Sequence, residues 1–449
     1  MNNFEKFIVS NENADTAKLM LSVREWPVPE DPLLSGINPK DLAINTIEAR
    51  RKLRKKLPLW HGLTSLVYPT TLCAEQCSSS ATAACKAALV RKVIHEYARA
   101  QTGKPVGETL VADLTGGLGV DAYAFSKVAG KVLYNEMNPA LAAAARHNFA
   151  ALGAGNITVS NLETSPDTLS GILGGTSPDV IFLDPARRDN AGKKVFLLED
   201  CSPDILKLLP GLFAASRFVL LKLSPMADIT MAVERLDRTY EKFLEETSGE
   251  GWNGQWVREA HVVASGGECK ELLILLDREW KGGYSLTCRE EDNPLTFTPE
   301  ELASAKAAYP DSTFARLIFE PGKSLTKAGV FNAVCSRFGL VKLARFTHLY
   351  TFADPLAEDE LAERCAPLKS FGKIFIVKEI VPLSKANLKE VGRRWPRCEV
   401  SAKNIPLSSD ELRVRLKVSS GDEVHIFGAR IETPCSEGNY LIVTSRASF

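Results

Sequence analysis

The chain has 449 residues, of which 45% are hydrophobic and 24% charged, with 55 basic side chains against 55 acidic ones. That balance buries a large core, excludes overall disorder and is long enough for two to four domains. A cancelled net charge excludes a protein that coats nucleic acid over its whole surface, so any such contact must come from local patches.

The N-terminus, MNNFEKFIVSNENAD, lacks the apolar stretch of a signal peptide, and no apolar run approaches the roughly 18 residues of a membrane span. A cytoplasmic location is expected. Among the ten cysteines only Cys73, Cys77 and Cys85 lie close together, without a CxxC pair. The six histidines are dispersed, so the expectation is buried thiols in a reducing compartment and no metal.

Residues 1–105 read as an N-terminal helical region. IEARRKLRKKLPLW (Ile47–Trp60) has helix-forming composition and stops at Pro58; its basic run, Ala49–Lys56, reads as a solvated helix face or a second basic patch. SSSATAACKAALVRKVIHEYARAQTG opens on serines suited to an N-cap and ends at Gly103 and Pro105. From there to residue 278 short apolar runs alternate with helical stretches: TLVADL, KVLYNE, NITVSN, DVIFLD and RFVLLKLS. Such alternation predicts a parallel sheet covered on both faces. HVVASGG and CKELLILLD then read as paired antiparallel strands, and KGGYSLTCREEDNP as a boundary. A second unit is expected over 279–375 and a last one, rich in short β-type segments, over 376–449.

The strongest signal is VADLTGGLGVDAYAF, where an apolar strand delivers Asp113 and then Thr115, Gly117 and Gly119 at two-residue steps before a helix. Backbone free of side-chain obstruction passes close to a ligand there. A pyrophosphate would also suit such a loop, but the spacing does not fit G-x-G-x-x-G. The next strand ends in Glu136, 17 residues after Gly119. A carboxylate at that point accepts hydrogen bonds from both hydroxyls of a ribose. After the third strand, Asn161 offers a carbonyl oxygen to an adenine amino group.

Together these segments, over about residues 108–276, resemble the class I S-adenosylmethionine-dependent methyltransferases. The resemblance implies a Rossmann-like α/β core and S-adenosyl-L-methionine as cofactor. Asp113, Thr115, Gly117, Gly119, Glu136 and Asn161 would then be its binding residues.

The fourth strand ends DVIFLDPARRD. In nucleic-acid amino-methyltransferases the matching strand ends in Asp-Pro-Pro plus an aromatic, which orients the target –NH2 and stacks the extruded base. Here Asp184 and Pro185 match, while Ala186 and Arg187 depart from the pattern, leaving Arg187 and Arg188 to stack on a base or hold a phosphate. Asp-Pro-Pro-Arg also occurs in enzymes acting on carbon-5 of uridine, but those need a cysteine after the next strand, and KLSPMAD has none. Lys222 faces the site in this reading.

YPTTLCAEQCSSSATAACKAAL, DLTGGLGVDA, DPARRD, KLSPMADI, FEPGKSLTKAG and the terminal YLIVTSRA further resemble a bacterial group of methyltransferases with a THUMP-like C-terminal domain. That resemblance implies a ferredoxin-like α+β unit over 279–375, a THUMP-like unit over 376–449, and RNA, either rRNA or tRNA, as partner. Residues 376–420 carry ten Lys/Arg against five Asp/Glu, and GRRWPR sets Trp395 among arginines, a mix suited to phosphate and base contacts. FEPGKS lacks the upstream glycine of a P-loop. The expected activity is methyl transfer to a base amino group of RNA, with Asp184, Pro185 and Arg187 at the acceptor. The alternatives are a same-fold enzyme acting on a protein or small molecule, and a non-catalytic RNA-binding protein with a degenerate core.

Overall fold

The computed structural model describes residues 1–98, 103–187, 198–248, 254–312, 316–353 and 357–447. The chain divides into two compact units, Met1–Ala260 with Lys270–Tyr284, and His261–Cys269 with Ser285–Phe449.

In the first unit the N-terminal region is helical. α1 (Pro39–Lys56) ends where Leu57 precedes Pro58, and Pro58 itself opens a further short helix, Pro58–Gly62. A proline at a first helical turn sacrifices no hydrogen bond, so the residue that stops one helix starts the next. The basic run of α1 is a solvated face only in part: Lys52, Arg54 and Lys55 are exposed, whereas other members are tied to the chain. Arg50 is 3% exposed and donates to the carbonyls of Leu63 and His61 at 3.0 and 2.8 Å. Arg54 pairs with Glu12, and Lys56 donates to the carbonyls of Ala74 and Glu75. These side chains tie the preceding and following segments onto α1. α2 (Ser80–Lys92) begins within the predicted serine run, with Ser79 and Thr82 forming a capping box.

The sheet of this unit contains β1 (Leu110–Asp113), β2 (Lys131–Asn135), β3 (Ile157–Ser160), β4 (Val180–Leu183), β5 (Phe218–Leu223), the start of β6 (Val257–Ser265), to Ala260, and β7 (Glu268–Asp277) from Lys270 on. Their order is β6-β7-β5-β4-β1-β2-β3. β1 to β5 are parallel, with Val111 beside both Val132 and Val180 and Phe182 beside Leu220. β7 runs antiparallel to β5, pairing Phe218 with Asp277. The strands read as continuous apolar runs because both faces are covered; Val180 to Leu183 are each at most 1% exposed. Strand order reverses between β1 and β4, and in such sheets ligands bind beyond the carboxyl ends at that reversal.

In the second unit, most of the stretch expected as a boundary, from Ser285 on, forms a hairpin, β8 (Ser285–Glu290) and β9 (Asn293–Phe297). SLTCRE carries strand-forming residues, and the turn is tight enough to hold Glu291 at φ 51°. A seven-stranded sheet follows, built from β10 (Leu317–Pro321), β11 (Leu340–Ala344), β12 (Thr347–Phe352), β13 (Gly372–Pro382), β14 (Glu399–Lys403), β15 (Val424–Glu432) and β16 (Glu437–Arg446), in the order β11-β12-β10-β13-β16-β15-β14. The GKS of FEPGKS begins the helix Lys323–Ala328, whose first amides donate to the Glu290 carboxylate at 3.2 and 2.9 Å. A protein carboxylate fills the place a phosphate takes in a P-loop. Trp395 packs against the core built on Leu388, Val391 and Leu412, and Lys378 sits 5.0 Å above its ring. Arg394 pairs with Glu379 and Arg413 with Glu399.

Candidate functional site

The carboxyl ends of β1 to β5, with residues 70–78 of the N-terminal region, enclose a cavity of about 710 Å³. That size lies within the range of small-molecule and cofactor sites. The first wall is the loop after β1. Gly116 donates to Asn135 O at 2.8 Å, which pins the loop to the end of β2. Tyr134 lies so close that a Cβ on Gly116 would fall 2.1 Å from its ring. The Tyr134 hydroxyl donates to Gly117 O at 2.6 Å. Gly117 and Gly119 take φ of +55° and +87°, the left-handed region, and a Cβ on Gly119 would meet Phe149 at 2.6 Å. Thr115 accepts from the Asp184 backbone N–H at 2.6 Å, so the glycine loop and the tip of β4 are stitched together.

Glu136 is 9% exposed and lines the cavity. Its two oxygens accept from Gly117 N and Asn138 N, both at 2.8 Å, which fixes the carboxylate beside the loop. Asp113 also lines the cavity and accepts from Thr115 N at 3.1 Å. Burial, reinforced by Asp121, pushes its carboxyl well above the usual carboxylate range. At the other end, Lys222 ion-pairs with Asp184, whose side chain is 34% exposed. Burial works against the charge on Lys222, but the carboxylates of Asp184, Glu271 and Asp121 outweigh it and hold the ammonium above the usual lysine range. Burial lifts the Asp184 carboxyl, and Lys222 opposes that lift.

The cavity brings together Asp113, Thr115, Gly117, Gly119, Glu136 and Asp184. Asn161 stands outside its lining and donates its amide to the carbonyls of Glu136 and Met137, at 2.6 and 3.1 Å. Pro185 is buried and also outside the lining. The Arg187 backbone pairs with Cys201 in a two-residue antiparallel ladder. Its side chain, and the whole of Arg188, fall outside the described residues. Cys73 and Cys77 line the cavity as thiols, which burial pushes up, Cys77 to about 11.

Sequence reasoning missed the N-terminal contribution. Thr70, Leu72, Gln76 and Ser78 close one side of the cavity. Beneath them Lys86, 0% exposed, donates to Glu271 at 2.7 and 2.8 Å and to Ser78 at 2.9 Å, and lies 3.3 Å from Asp121. The available signal was a single lysine among the small residues of SATAACKAALV, a helix surface otherwise made for burial. Among the described residues no group of His, Cys, Asp and Glu is arranged to hold a metal, and no helix is long and apolar enough to cross a membrane.

A sheet ordered in this way, with a glycine-bend cavity at its reversal, defines a class I S-adenosylmethionine-dependent methyltransferase core. The crystal structure of a protein from Porphyromonas gingivalis W83, assigned as a methyltransferase, is 30% identical and superposes with a TM-score of 0.77 over 99% of this chain and 98% of that one. An uncharacterized S-adenosylmethionine-dependent methyltransferase of Mycobacterium tuberculosis is 23% identical over 328 residues, 72% of this chain and 77% of that protein. Residues 318–358 match a ferredoxin-like domain and residues 372–446 a THUMP domain-like family. The chain belongs to the same family as the Porphyromonas protein: S-adenosylmethionine-dependent methyltransferases with a ferredoxin-like and a THUMP-like domain. S-adenosyl-L-methionine is accordingly its cofactor.

Proposed function

We propose that this enzyme methylates RNA, on a base amino group of rRNA or tRNA. One observation carries the reading: a methyltransferase cavity and a segment matching a THUMP domain-like family, residues 372–446, occur in one chain. The excess of five positive charges over 376–420 supports it. In this reading 1–105 and 106–278 build the catalytic part, 279–375 is the ferredoxin-like domain, and 376–449 binds RNA.

The cavity suits the cofactor. Gly117 and Gly119 remove side chains from the path of a ligand, and Glu136 presents a carboxylate beside that bend, suited to the hydroxyls of a ribose. Asp113 and Thr115 hold the loop, and the Asn161 amide N–H groups brace the turn carrying Glu136, which leaves its carbonyl oxygen for the adenine amino group. When bound, S-adenosylmethionine supplies a methyl group already activated by its sulfonium. The chain then contributes position and a polar cradle. Lys222 holds one Asp184 oxygen, and the other accepts a hydrogen bond from the acceptor N–H, turning its lone pair toward the methyl carbon. Pro185 stiffens the strand tip, and Arg187, two residues further along the chain, is the candidate substrate contact in this reading.

The test is mass spectrometry of nucleosides from digested RNA of a strain lacking the gene. One methylated nucleoside is expected to disappear and to return with the wild-type gene but not with Asp184→Ala. An unchanged nucleoside profile refutes an RNA substrate. A second reading, methylation of a protein or small molecule, is favoured by the ammonium already seated on Asp184 and by the missing aromatic at position 187. It predicts that methyl incorporation in the deletion strain falls in the protein or small-molecule fraction instead.

A further inference from the structure

The N-terminal wall of the cavity carries two accessible side chains that the cofactor loop does not use. The helix Thr71–Gln76 is anchored to the core: Cys73 and Ala74 are 9% and 0% exposed in the cluster built on Leu53, Trp60 and Tyr68. The Lys56 ammonium donates to the carbonyls of Ala74 and Glu75 at 3.2 and 2.6 Å, which ties down the last turn. Leu72 and Gln76 lie four residues apart, the spacing of one helix face, and both line the cavity. Both are exposed, Leu72 at 55%. Among the described residues the Gln76 carboxamide makes no hydrogen bond. An exposed leucine on an outer surface is ordinary, but one held on a cavity wall by a tethered helix offers apolar surface to a ligand.

The ligand class follows from the chemistry of this wall. It pairs an apolar surface with a neutral carboxamide that has both donors and an acceptor. That pairing suits a planar heterocycle whose face lies on the leucine and whose edge presents a donor beside an acceptor, as an amino group beside a ring nitrogen does. Asp184, at the tip of β4, lines the same cavity. Position 187, where base amino-methyltransferases carry a stacking aromatic, is an arginine, so an apolar surface for the base has to come from another element.

We propose that Leu72 and Gln76 recognise the acceptor: Leu72 packs against the face of the base to be methylated, and Gln76 reads the donor–acceptor edge beside the amino group that Asp184 orients. The N-terminal segment is thereby part of the substrate site and sets which base enters. The inference rests on an RNA base being the acceptor.

The experiment is methyl transfer by the full-length enzyme from radiolabelled S-adenosylmethionine to total RNA of a strain lacking the gene. The same proteins are titrated calorimetrically with S-adenosylmethionine alone and unfolded in urea. Gln76→Leu is expected to lower kcat/KM for RNA by about tenfold, as for the loss of one or two neutral hydrogen bonds. Leu72→Ala should lower it by about fivefold, and Leu72→Met, which keeps the apolar surface, should recover most of that loss. Both positions are exposed, so the unfolding midpoint should stay at the wild-type value, and so should affinity for S-adenosylmethionine. Wild-type kcat/KM for RNA in both Gln76→Leu and Leu72→Ala overturns this inference and leaves the RNA reading standing. Weakening of S-adenosylmethionine by the factor lost in kcat/KM also overturns it, since the residues then serve the cofactor. So does a lowered midpoint with equal losses for Leu72→Ala and Leu72→Met, the mark of a structural role. If the wild-type enzyme methylates none of this RNA, the RNA reading fails and this inference with it.

Discussion

Lys86→Met removes the one ammonium at the centre of the buried network and keeps a side chain of similar length. Lys86 is 0% exposed, and its partners Glu271 and Asp121 have side chains only 5% and 11% exposed, so water does not replace the lost charge. Removing one partner of a buried pair leaves an uncompensated charge and costs about 3–5 kcal/mol. Against a total of about 5–15 kcal/mol for a typical domain, that is a large share. The assay is urea unfolding followed by tryptophan fluorescence, with Lys86→Met, Glu271→Gln and the double variant forming a cycle. The double variant should recover the part of the single lysine variant's loss that comes from an unpaired Glu271, while Asp121 stays without its ammonium. A single-variant loss below about 1 kcal/mol, or a double variant no more stable than Lys86→Met, refutes the account of this network as a charge-compensated buried unit.

Gly119→Ala places a methyl at φ +87° and 2.6 Å from the Phe149 ring. The left-handed backbone costs about 1–2 kcal/mol and the overpacking about 1–3 more, so a loss of about 2–5 kcal/mol is expected with weakened S-adenosylmethionine binding. Gly155→Ala, with nothing within 4 Å of the added carbon, is the control and should be near neutral. In the second unit burial pushes His425 down to about 4, so it folds neutral. A depressed histidine contributes stability fully present above about pH 6.5, its unfolded value, and lost as pH falls toward 4. His425→Gln should therefore flatten the fall in unfolding midpoint between pH 6.5 and 4. A parallel fall in variant and wild type would show that other groups carry it.

The parallel strands were legible because burial on both faces removes polar residues from them, as in VIFL of β4. The glycine bend was legible because a positive φ beside Phe149 and Tyr134 leaves little choice of side chain. Asn161 shows the limit. Its position suggested a ligand contact through its carbonyl oxygen, and spacing did not foretell that its amide N–H groups would be tied to the carbonyls of Glu136 and Met137. The basic run of α1 was legible only in part: Lys52, Arg54 and Lys55 are exposed as expected, but a guanidinium satisfied by carbonyls, as in Arg50, and one satisfied by water have the same sequence.

By itself the sequence determined the elements whose pattern is local: the alternation of strand and helix, the caps, the open bend after β1 and the acid at the end of β2. Tertiary structure alone decided which distant charges meet. Lys86 reaches Glu271 across 185 positions of chain, and Lys222 reaches Asp184 across 38. The physical reason is that hydrophobic periodicity records burial along each element, whereas a Coulomb interaction depends on separations in space that only the packing of the elements sets.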